Sequence, residues 1–361
     1  MNKLKIVLVL LISACSKSSV PSPPVPAPPV PVVPSKELNI KAVDASFIPE
    51  IRSSGVVTKN RLGQPEDMLT TLKNEGVNTI RLRLWKDPAT LHSGFNEVKT
   101  FAQKIKSKGL KVWITVHYSD TWADPGAQLK PAAWNGASYA QLKDSVYNYT
   151  KKIVTEMNPD YIQIGNEING GLIWPEGRSS NLVQMKELIA QGIRAVRDQS
   201  PQTKIMLHNA GIDNAAFFYT NIGALDYDII ALSYYPIWHG KNLNQLQTTL
   251  NTLSAQFNKD IVIAETAYPF TFGWNDYTNN IIGLDNQILP EFSATEQGQK
   301  DFLTRLKTIV TNSPKGTGLC YWGAEWVAFK GPQSTKGSSW ENQALWDFNY
   351  KALPAMGVFK N

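Results

Sequence analysis

Apolar residues recur along the chain with two kinds of spacing, one typical of strands and one typical of helices, and the two kinds follow one another in a fixed order. Short runs rich in β-branched and aromatic residues are separated by stretches whose apolar residues fall at helical spacing. The strand-like runs cover residues 40–47, 77–85, 110–118, 161–167, 204–210, 229–235, 260–266 and 318–326. A strand followed by a helix, eight times over, is typical of a (β/α)8 barrel.

Residues that start and stop helices lie between these runs. Pro65 is predicted to open a helix that Gly76 ends, and Ser138 is predicted to cap a helix that stops at Asn158. A helix between these two is predicted from the apolar residues Val98, Phe101, Ala102 and Ile105. The body, residues 37–361, is therefore predicted to be a single (β/α)8 TIM barrel with long loops on its C-terminal face. A doubly wound open sheet is the alternative, but no G-x-G-x-x-G turn follows the first run.

The pattern of the first 36 residues predicts a cleaved signal peptide and attachment of the protein to a membrane. Lys3 and Lys5 precede an apolar run too short to span a bilayer, which is typical of a signal peptide over residues 1–14. The run ends Leu-Ile-Ser-Ala-Cys and resembles the lipobox of bacterial lipoproteins, which implies lipidation of Cys15; an ordinary secretory signal with an incidental cysteine is the alternative. Residues 15–36 contain a proline-rich linker, with eight prolines in the fifteen residues 20–34. We expect a secreted lipoprotein at the outer membrane, the cell surface or the periplasmic side.

Charge and cysteine content exclude several classes of protein. The 36 Lys and Arg against 30 Asp and Glu give a net charge of +6, but the basic residues are scattered, so nucleic acid is not an expected partner. Cys15 and Cys320 are the two cysteines of the 361-residue chain, so the body can hold neither a disulfide framework nor a cysteine-based metal site.

Two carboxyl groups lie at the ends of predicted strands. Glu167 ends the fourth run and Glu265 lies near the end of the seventh. In a barrel both strand ends face one central cleft, where two carboxyl groups can hydrolyse a glycosidic bond. Pairing with a nearby arginine is the alternative for either residue alone.

Neighbouring residues favour the same chemistry. Asn166 can donate to a sugar 2-hydroxyl, and Arg83 can keep a nearby carboxylate ionised. His117 and His239 lie near strand ends, but no H-x-x-x-H spacing supports a catalytic metal. Several tryptophans in polar loops suit sugar stacking, among them Trp85, Trp122, Trp238 and Trp326.

A long motif carries a family resemblance. Residues 117–125 read His-Tyr-Ser-Asp-Thr-Trp-Ala-Asp-Pro, and residues 83–88, 163–167, 233–240 and 265–269 hold further blocks in the same order. The set closely resembles glycoside hydrolase family 53, the endo-β-1,4-galactanases that act on type I arabinogalactan. This resemblance covers residues 44–326, nearly the whole body.

The resemblance implies a retaining mechanism with Glu167 as acid/base and Glu265 as nucleophile, without a catalytic cofactor. It implies a substrate site formed by Asp44, Arg83, Trp85, His117, Asp120, Trp122, Asn166, Trp238, His239, Trp326 and a tyrosine of the Tyr234–Tyr235 pair. Strand alternation places Ser233 and Tyr235 on one face and favours Tyr235. Trp326 is expected at the floor of the site.

One loop departs from the family pattern. Bacterial members often carry a calcium loop with Asp and His after the seventh strand, whereas residues 271–279 hold the single acid Asp276. A structural Ca²⁺ is therefore only weakly indicated.

Two rival functions remain open. Another barrel endo-glycanase, acting on mannan, xylan or glucan, would share both glutamates, and a lipid-anchored glycan-binding protein would keep the aromatic residues without needing both acids. The expected partners are galactan, galacto-oligosaccharides and a membrane reached through the lipid on Cys15. We expect a monomer.

Overall fold

Eight parallel strands close into a barrel in the computed structural model, which describes residues 36–360. The strands are β1 (Ile40–Asp44), β2 (Thr79–Leu84), β3 (Lys111–Val116), β4 (Tyr161–Ile164), β5 (Lys204–Ala210), β6 (Ile229–Ser233), β7 (Asp260–Glu265) and β8 (Gly316–Tyr321). β1 pairs with both β2 and β8, which closes the sheet and confirms the predicted (β/α)8 barrel. The predicted signal peptide, Cys15 and all but the last residue of the linker lie outside the described residues.

Helices follow the strands around the barrel. They are α1 (Ile48–Ser53), α2 (Met68–Asn74), α3 (Phe95–Ser107), α4 (Tyr139–Met157), α5 (Leu182–Gln199), α6 (Ala215–Ile222), α7 (Pro236–His239), α8 (Leu243–Phe257) and α9 (Glu296–Asn312). Within residues 36–360, none of the helices combines the length and apolar character needed to cross a membrane.

The helix ends show which local signals acted. Ser138 caps α4 in a capping box with Gln141, and Asn158 ends the helix in a left-handed conformation, as predicted. Pro65 was the wrong start for α2, which begins at Met68 because the Asp67 side chain accepts the Thr70 N–H and caps it.

The core has two layers, one inside the barrel of strands and one between the strands and the surrounding helices. Alternate strand residues point into the barrel and form a small inner cluster that includes Trp113, Tyr161, Met206 and the thiol of Cys320, all buried. The remaining strand residues pack against the helices in a much larger outer cluster. The inner cluster fills the barrel, so the functional cavity lies above it, at the strand ends.

Several strands end earlier than the sequence pattern predicts. β4 stops at Ile164 because Gly165 (φ 81°) and Glu167 (φ 46°) are left-handed, and β8 stops at Tyr321, before Gly323 (φ 64°). Glu167 and Trp326 consequently lie on loops that leave the barrel rather than on strands.

Candidate active site

A cavity of about 590 Å³ opens at the C-terminal ends of the strands. Most of the predicted site residues form its wall: Asp44, Arg83, His117, Trp122, Asn166, Glu167, Tyr235, Trp238, His239, Glu265 and Trp326. Residues that the sequence analysis did not assign to the site complete it: Arg81, Ala123, Asp124, Pro125, Ala210, Trp322, Ser339 and Trp340. Strand ends and loops of the barrel therefore meet at one site, as this architecture requires.

Glu167 faces the cavity from the loop that follows β4. The Ser233 hydroxyl, at the end of β6, donates to Glu167 Oε1 at 2.5 Å. Burial and the negative charge of Glu265 raise the pKa of Glu167 to about 8. At neutral pH this side chain therefore keeps a proton that it can donate, as a general acid must.

Glu265, at the end of β7, lies among groups that stabilise its charge. Arg81 Nη2 donates to Glu265 Oε1 at 2.7 Å, and the Tyr235 hydroxyl donates to Oε2 at 3.1 Å. Burial raises the pKa of Glu265, while the Arg81 charge and these two hydrogen bonds oppose the rise. Of the two glutamates, Glu265 is thus the one held as an anion.

The cation beside Glu265 is Arg81, which corrects the interpretation of Arg83. Arg81 bridges Glu265 and Asp44, donating to Asp44 Oδ2 at 3.0 Å. Arg83 donates instead to Ser93 Oγ at 3.2 Å and to the His92 ring at 2.6 Å. Its guanidinium also lies 3.9 Å from the centre of the Trp122 ring. Burial lowers the pKa of Arg83 to about 10, so it is still a cation in the cavity wall at neutral pH.

Asn166 links the surroundings of the two glutamates. Its Oδ1 accepts from Arg81 Nη2 at 2.9 Å and from Gln163 Nε2 at 3.1 Å, and its Nδ2 donates to the Ala123 carbonyl at 2.9 Å. Because an amide nitrogen carries two hydrogens, one hydrogen is left for a ligand in the cavity.

His208 stands behind Glu167 and was missed by the sequence analysis. Its Nδ1 accepts from Gln163 Nε2 at 2.9 Å and from the Glu167 N–H at 3.4 Å, which places the ring proton on Nε2. Nε2 then donates to Ser233 Oγ at 2.9 Å, so the hydroxyl is oriented towards Glu167. Burial and the Arg81 charge lower the pKa of His208 well below its usual value and keep it neutral. The signal in the sequence is a histidine, one of four, within a predicted strand.

His117 and His239 are neutral donors in the cavity wall. The Nδ1 of His117 accepts the Ala123 N–H at 3.0 Å, and the Nδ1 of His239 accepts the Tyr235 N–H at 3.0 Å. Burial lowers the pKa of His117 well below its usual value and that of His239 to about 4. Each ring therefore carries its proton on Nε2 and can donate to a substrate hydroxyl.

Aromatic rings line the cavity from floor to rim. Trp326 stacks on Phe47 with ring centres 4.1 Å apart, whereas Trp122 and Trp238 are 37% and 53% exposed. Trp322 and Trp340, which pack edge to face at 4.5 Å, complete the wall. Trp340 lies far along the loop after β8, which is held against the loop after β7 by Asn342, and no local motif predicts its position.

Two predicted substrate residues lie elsewhere. Trp85 is buried behind the cavity wall, edge-on to Trp122 at 5.4 Å. Asp120 accepts the backbone N–H groups of Asp87 (3.0 Å) and Ala132 (2.8 Å), so it joins two loops instead of facing the cavity.

Asp276, the weak metal candidate, lies in the loop after β7. Within residues 36–360, no three His, Cys, Asp or Glu side chains gather into a metal-binding group. Asp276 is nevertheless buried beside Glu341, whose Oε1 accepts the Asn275 N–H at 2.5 Å. Asp276 Oδ2, Glu341 Oε2 and Asn280 Oδ1 have no hydrogen-bond partner in the described part of the chain. Burial and the Asp276 charge raise the pKa of Glu341.

A (β/α)8 barrel whose upper cavity holds two buried carboxyl groups among aromatic rings defines a barrel-type glycoside hydrolase. Comparison with known proteins agrees: the chain belongs to glycosyl hydrolase family 53, whose sequence profile matches residues 40–359.

Several relatives show the extent of this similarity. The chain is 33% identical over 338 residues to an arabinogalactan endo-β-1,4-galactanase of Cellvibrio japonicus, covering 88% of this chain and 89% of that protein. It is 31% identical over 372 residues to an endo-β-1,4-galactanase of Bacillus subtilis, covering 89% and 85%. The structure of the Ignisphaera aggregans GH53 catalytic domain matches with a TM-score of 0.84 at 39% identity, covering 93% of this chain and 99% of that domain. The family resemblance of the sequence motifs is thereby confirmed.

Proposed function

We propose that the protein is a retaining endo-β-1,4-galactanase that cuts internal bonds of galactan and type I arabinogalactan and releases galacto-oligosaccharides. The proposal depends on one observation: Glu167 and Glu265 share a cavity but have opposite surroundings. Glu265 is ion-paired with Arg81, whereas Glu167 accepts a hydrogen bond from the neutral Ser233 and has a raised pKa. The names of the relatives support galactan as the substrate.

The first step forms a covalent glycosyl-enzyme. A Glu265 carboxylate oxygen attacks the anomeric carbon, the bond from that carbon to the leaving oxygen breaks, and the Glu167 proton passes to the leaving oxygen. The attack neutralises Glu265, which removes the charge that helped raise the pKa of Glu167.

The second step regenerates the enzyme. Glu167, now a carboxylate, takes a proton from water as the water oxygen attacks the anomeric carbon and the bond to Glu265 breaks. The sugar keeps its original anomeric configuration because two inversions occur. Activity should fall as pH rises through about 8, where Glu167 loses its proton, and should also fall in acid, where Glu265 gains one.

The cavity offers groups for each part of a sugar. Asn166 Nδ2 is suited to the 2-hydroxyl, and the neutral His117 and His239 rings can donate to other hydroxyls. Trp122 lies in the loop after β3 and Trp238 in the short helix α7 after β6, three strands apart around the barrel. A chain lying across both exposed rings would extend beyond the cavity in two directions, which supports internal cleavage.

Product analysis on linear β-1,4-galactan tests the substrate. Short galacto-oligosaccharides should appear with the wild type and be absent with Glu167→Ala and Glu265→Ala, both of which should still bind the polymer. Mannan, xylan and cellulose serve as controls. Cleavage of one of those polymers instead of galactan would overturn the substrate and favour another barrel endo-glycanase, and binding of galactan without any cleavage would favour a glycan-binding protein.

Azide rescue tests the role of each glutamate. With an aryl β-galactobioside, Glu265→Ala in azide should give the α-glycosyl azide, because azide replaces the missing nucleophile in a single inversion. Glu167→Ala should give the β-glycosyl azide, because azide attacks the covalent intermediate. The reverse pattern would exchange the two roles.

We also propose that the mature protein is a monomer exported to the cell envelope and attached through a lipid on Cys15. The support is the sequence of residues 1–36. Labelling with a radioactive fatty acid should mark the wild type and not Cys15→Ser, and light scattering of the detergent-free Cys15→Ser protein should give one chain per particle. Unlabelled wild-type protein would overturn the lipid anchor.

A structural Ca²⁺ between the loops after β7 and β8 is a further part of the proposal. The unpartnered oxygens of Asp276, Asn280 and Glu341 fit a hard cation, which takes six to eight oxygen ligands. The cation would cancel the repulsion between two buried carboxylates there.

A further inference from the structure

A second cavity, of about 450 Å³, adjoins the catalytic cavity. It lies between the start of α5 and the helix α6, and its size is typical of a small-molecule site. Four asparagines contribute to its wall, which includes no charged side chain from residues 36–360.

The two cavities are separated by one pair of residues. Asn169 lies two residues after Glu167; its Nδ2 donates to the Ala210 carbonyl at 2.7 Å, and its Oδ1 accepts the Ala210 N–H at 2.6 Å. Ala210 lines the catalytic cavity and Asn169 lines the second one. The linings of the two cavities therefore meet at this pair, close in the chain to Glu167, and a polymer bound at Glu167 would pass this pair to reach the second cavity.

Three amide side chains in the second cavity can bind a ligand hydroxyl, and one of them has a buried oxygen without a partner. Asn209 is 1% exposed; its Nδ2 donates to the carbonyls of Ala210 and Gly211, but its Oδ1 has no partner among residues 36–360. Asn214 is exposed and Asn221 is half-buried, and no hydrogen bond within residues 36–360 holds either side chain in place. A buried acceptor without a partner destabilises the fold, and a ligand hydroxyl would remove that cost.

An aromatic ring stands at the same cavity. Phe217 is 69% exposed, whereas its neighbour Phe218 is buried and packs on Tyr219 with ring centres 5.0 Å apart. An exposed phenyl ring beside amide groups matches the surface of a sugar, which has an apolar face and a rim of hydroxyls.

We propose that the second cavity binds one neutral glycosyl unit of the polysaccharide that is being cleaved next to it. The uncharged wall argues against phosphate or uronate ligands. The glycosyl unit is either a branch sugar or a unit of the main chain, and both share this chemistry. The identity of the polymer rests on the proposed galactanase function, whereas the sugar-binding role of the cavity does not.

The test compares Phe217→Ala and Asn221→Ala with the wild type. Leu62→Ala is the matched control, because Leu62 is 85% exposed and lines neither cavity. Retention in affinity gels containing linear β-1,4-galactan, arabinosylated galactan or arabinan measures binding, and kcat and KM are measured on each cleaved polymer. An aryl β-galactobioside, which fills only the catalytic cavity, reports on the catalytic step.

We expect each cavity variant to bind polymer about five-fold more weakly, with KM raised to match and kcat unchanged. The aryl galactobioside should react as in the wild type. Loss on both galactans would identify a main-chain unit, and loss only on the arabinosylated polymer would identify a branch sugar. The melting temperature should be unchanged in Phe217→Ala because Phe217 is exposed. If either variant has a lower melting temperature than the wild type, Asn214→Ala is used in its place.

Two outcomes would overturn the proposal: wild-type retention of every polymer by both cavity variants, or an equal loss on the aryl galactobioside. If the wild type cleaves no galactan but the variants still weaken its retention in a polymer gel, the galactanase proposal fails and the second sugar site stands.

Discussion

Arg81 and Arg83 project from the same face of β2 but do different work. Strand alternation predicts that both enter the barrel, yet it does not tell how deep each lies. The sequence pattern favours Arg83, the residue nearer the strand end, as the partner of the carboxylate, whereas Arg81 lies one layer deeper and reaches Glu265. Arg83 instead packs among Phe47, Trp85 and Trp122. How deep each arginine side chain lies in the barrel depends on how the eight strands close, and no local sequence pattern predicts that.

A lysine at each position should separate these roles. Arg81→Lys cannot contact Asp44, Asn166 and Glu265 together, so kcat/KM on galactan should fall about 100-fold or more. Arg83→Lys keeps the charge in the wall and should lose about ten-fold or less. Steady-state kinetics with melting temperatures as a folding control measure both, and equal losses would show that Arg81 is not the nucleophile's specific partner.

Ser233 should tune the pH dependence of the acid. Its hydrogen bond lowers the pKa of Glu167, so Ser233→Ala should raise that pKa and move the alkaline limb of kcat/KM to higher pH. Ser254→Ala, which removes another buried hydroxyl within α8, is the control. A limb that stays in place or moves to lower pH would contradict the inference that the Ser233 hydroxyl, oriented by His208, lowers the pKa of Glu167.

At the scale of elements, the loops after β7 and β8 hold one another. Asn342 Nδ2 donates to the carbonyls of Thr271 (2.9 Å) and Ile282 (2.7 Å), and Tyr321 Oη donates to the Gln343 carbonyl at 2.6 Å. These long-range bonds place Trp340 beside Trp322, which explains why the motif analysis missed it. Strands and the helices α3 and α4 were predictable because their signals are local, in contrast to the loop contacts.

Calcium should stabilise this pair of loops. Adding Ca²⁺ to chelator-treated protein should raise the melting temperature by about 2–4 °C, because the unpartnered oxygens would coordinate the cation in the folded state. Asp276→Asn and Glu341→Gln should reduce the response, and Asp285→Asn, an acid in the same loop region, should not. A melting temperature insensitive to Ca²⁺ and chelator would rule the site out.

At the scale of the whole molecule, the sequence predicts the barrel because strand and helix periods repeat regularly. The two glutamates follow from the same regularity, since strand ends converge wherever a barrel closes. His208 escaped because its partners come from β4 and β6, and Asp120 misled because its motif shapes a loop. The function can be predicted from the residue types at the strand ends. The hydrogen bonds that position those residues cannot, because they join distant parts of the chain.

The raised pKa of Glu167 should cost the whole fold stability. An unfolded glutamate ionises near pH 4.5, whereas folded Glu167 holds its proton up to about pH 8, so stability is lost as pH rises between these values. Glu167→Gln should therefore melt at about the wild-type temperature at pH 4 and at least about 2 °C higher at pH 9. Glu291→Gln is the control, because Glu291 is exposed and makes no ion pair within residues 36–360. A melting-temperature difference independent of pH would contradict the assignment.

The buried thiol of Cys320 can serve as a probe of barrel unfolding. Its thiol is 0% exposed inside the ring of strands, and burial raises its pKa, so an alkylating reagent can reach it only when the strands separate. In a Cys15→Ser chain it is the single thiol. With enough reagent for labelling to outpace refolding, its labelling rate should match the rate of global unfolding and should not respond to motion in the loops. Rapid labelling of the native protein would show that the barrel strands open locally without global unfolding.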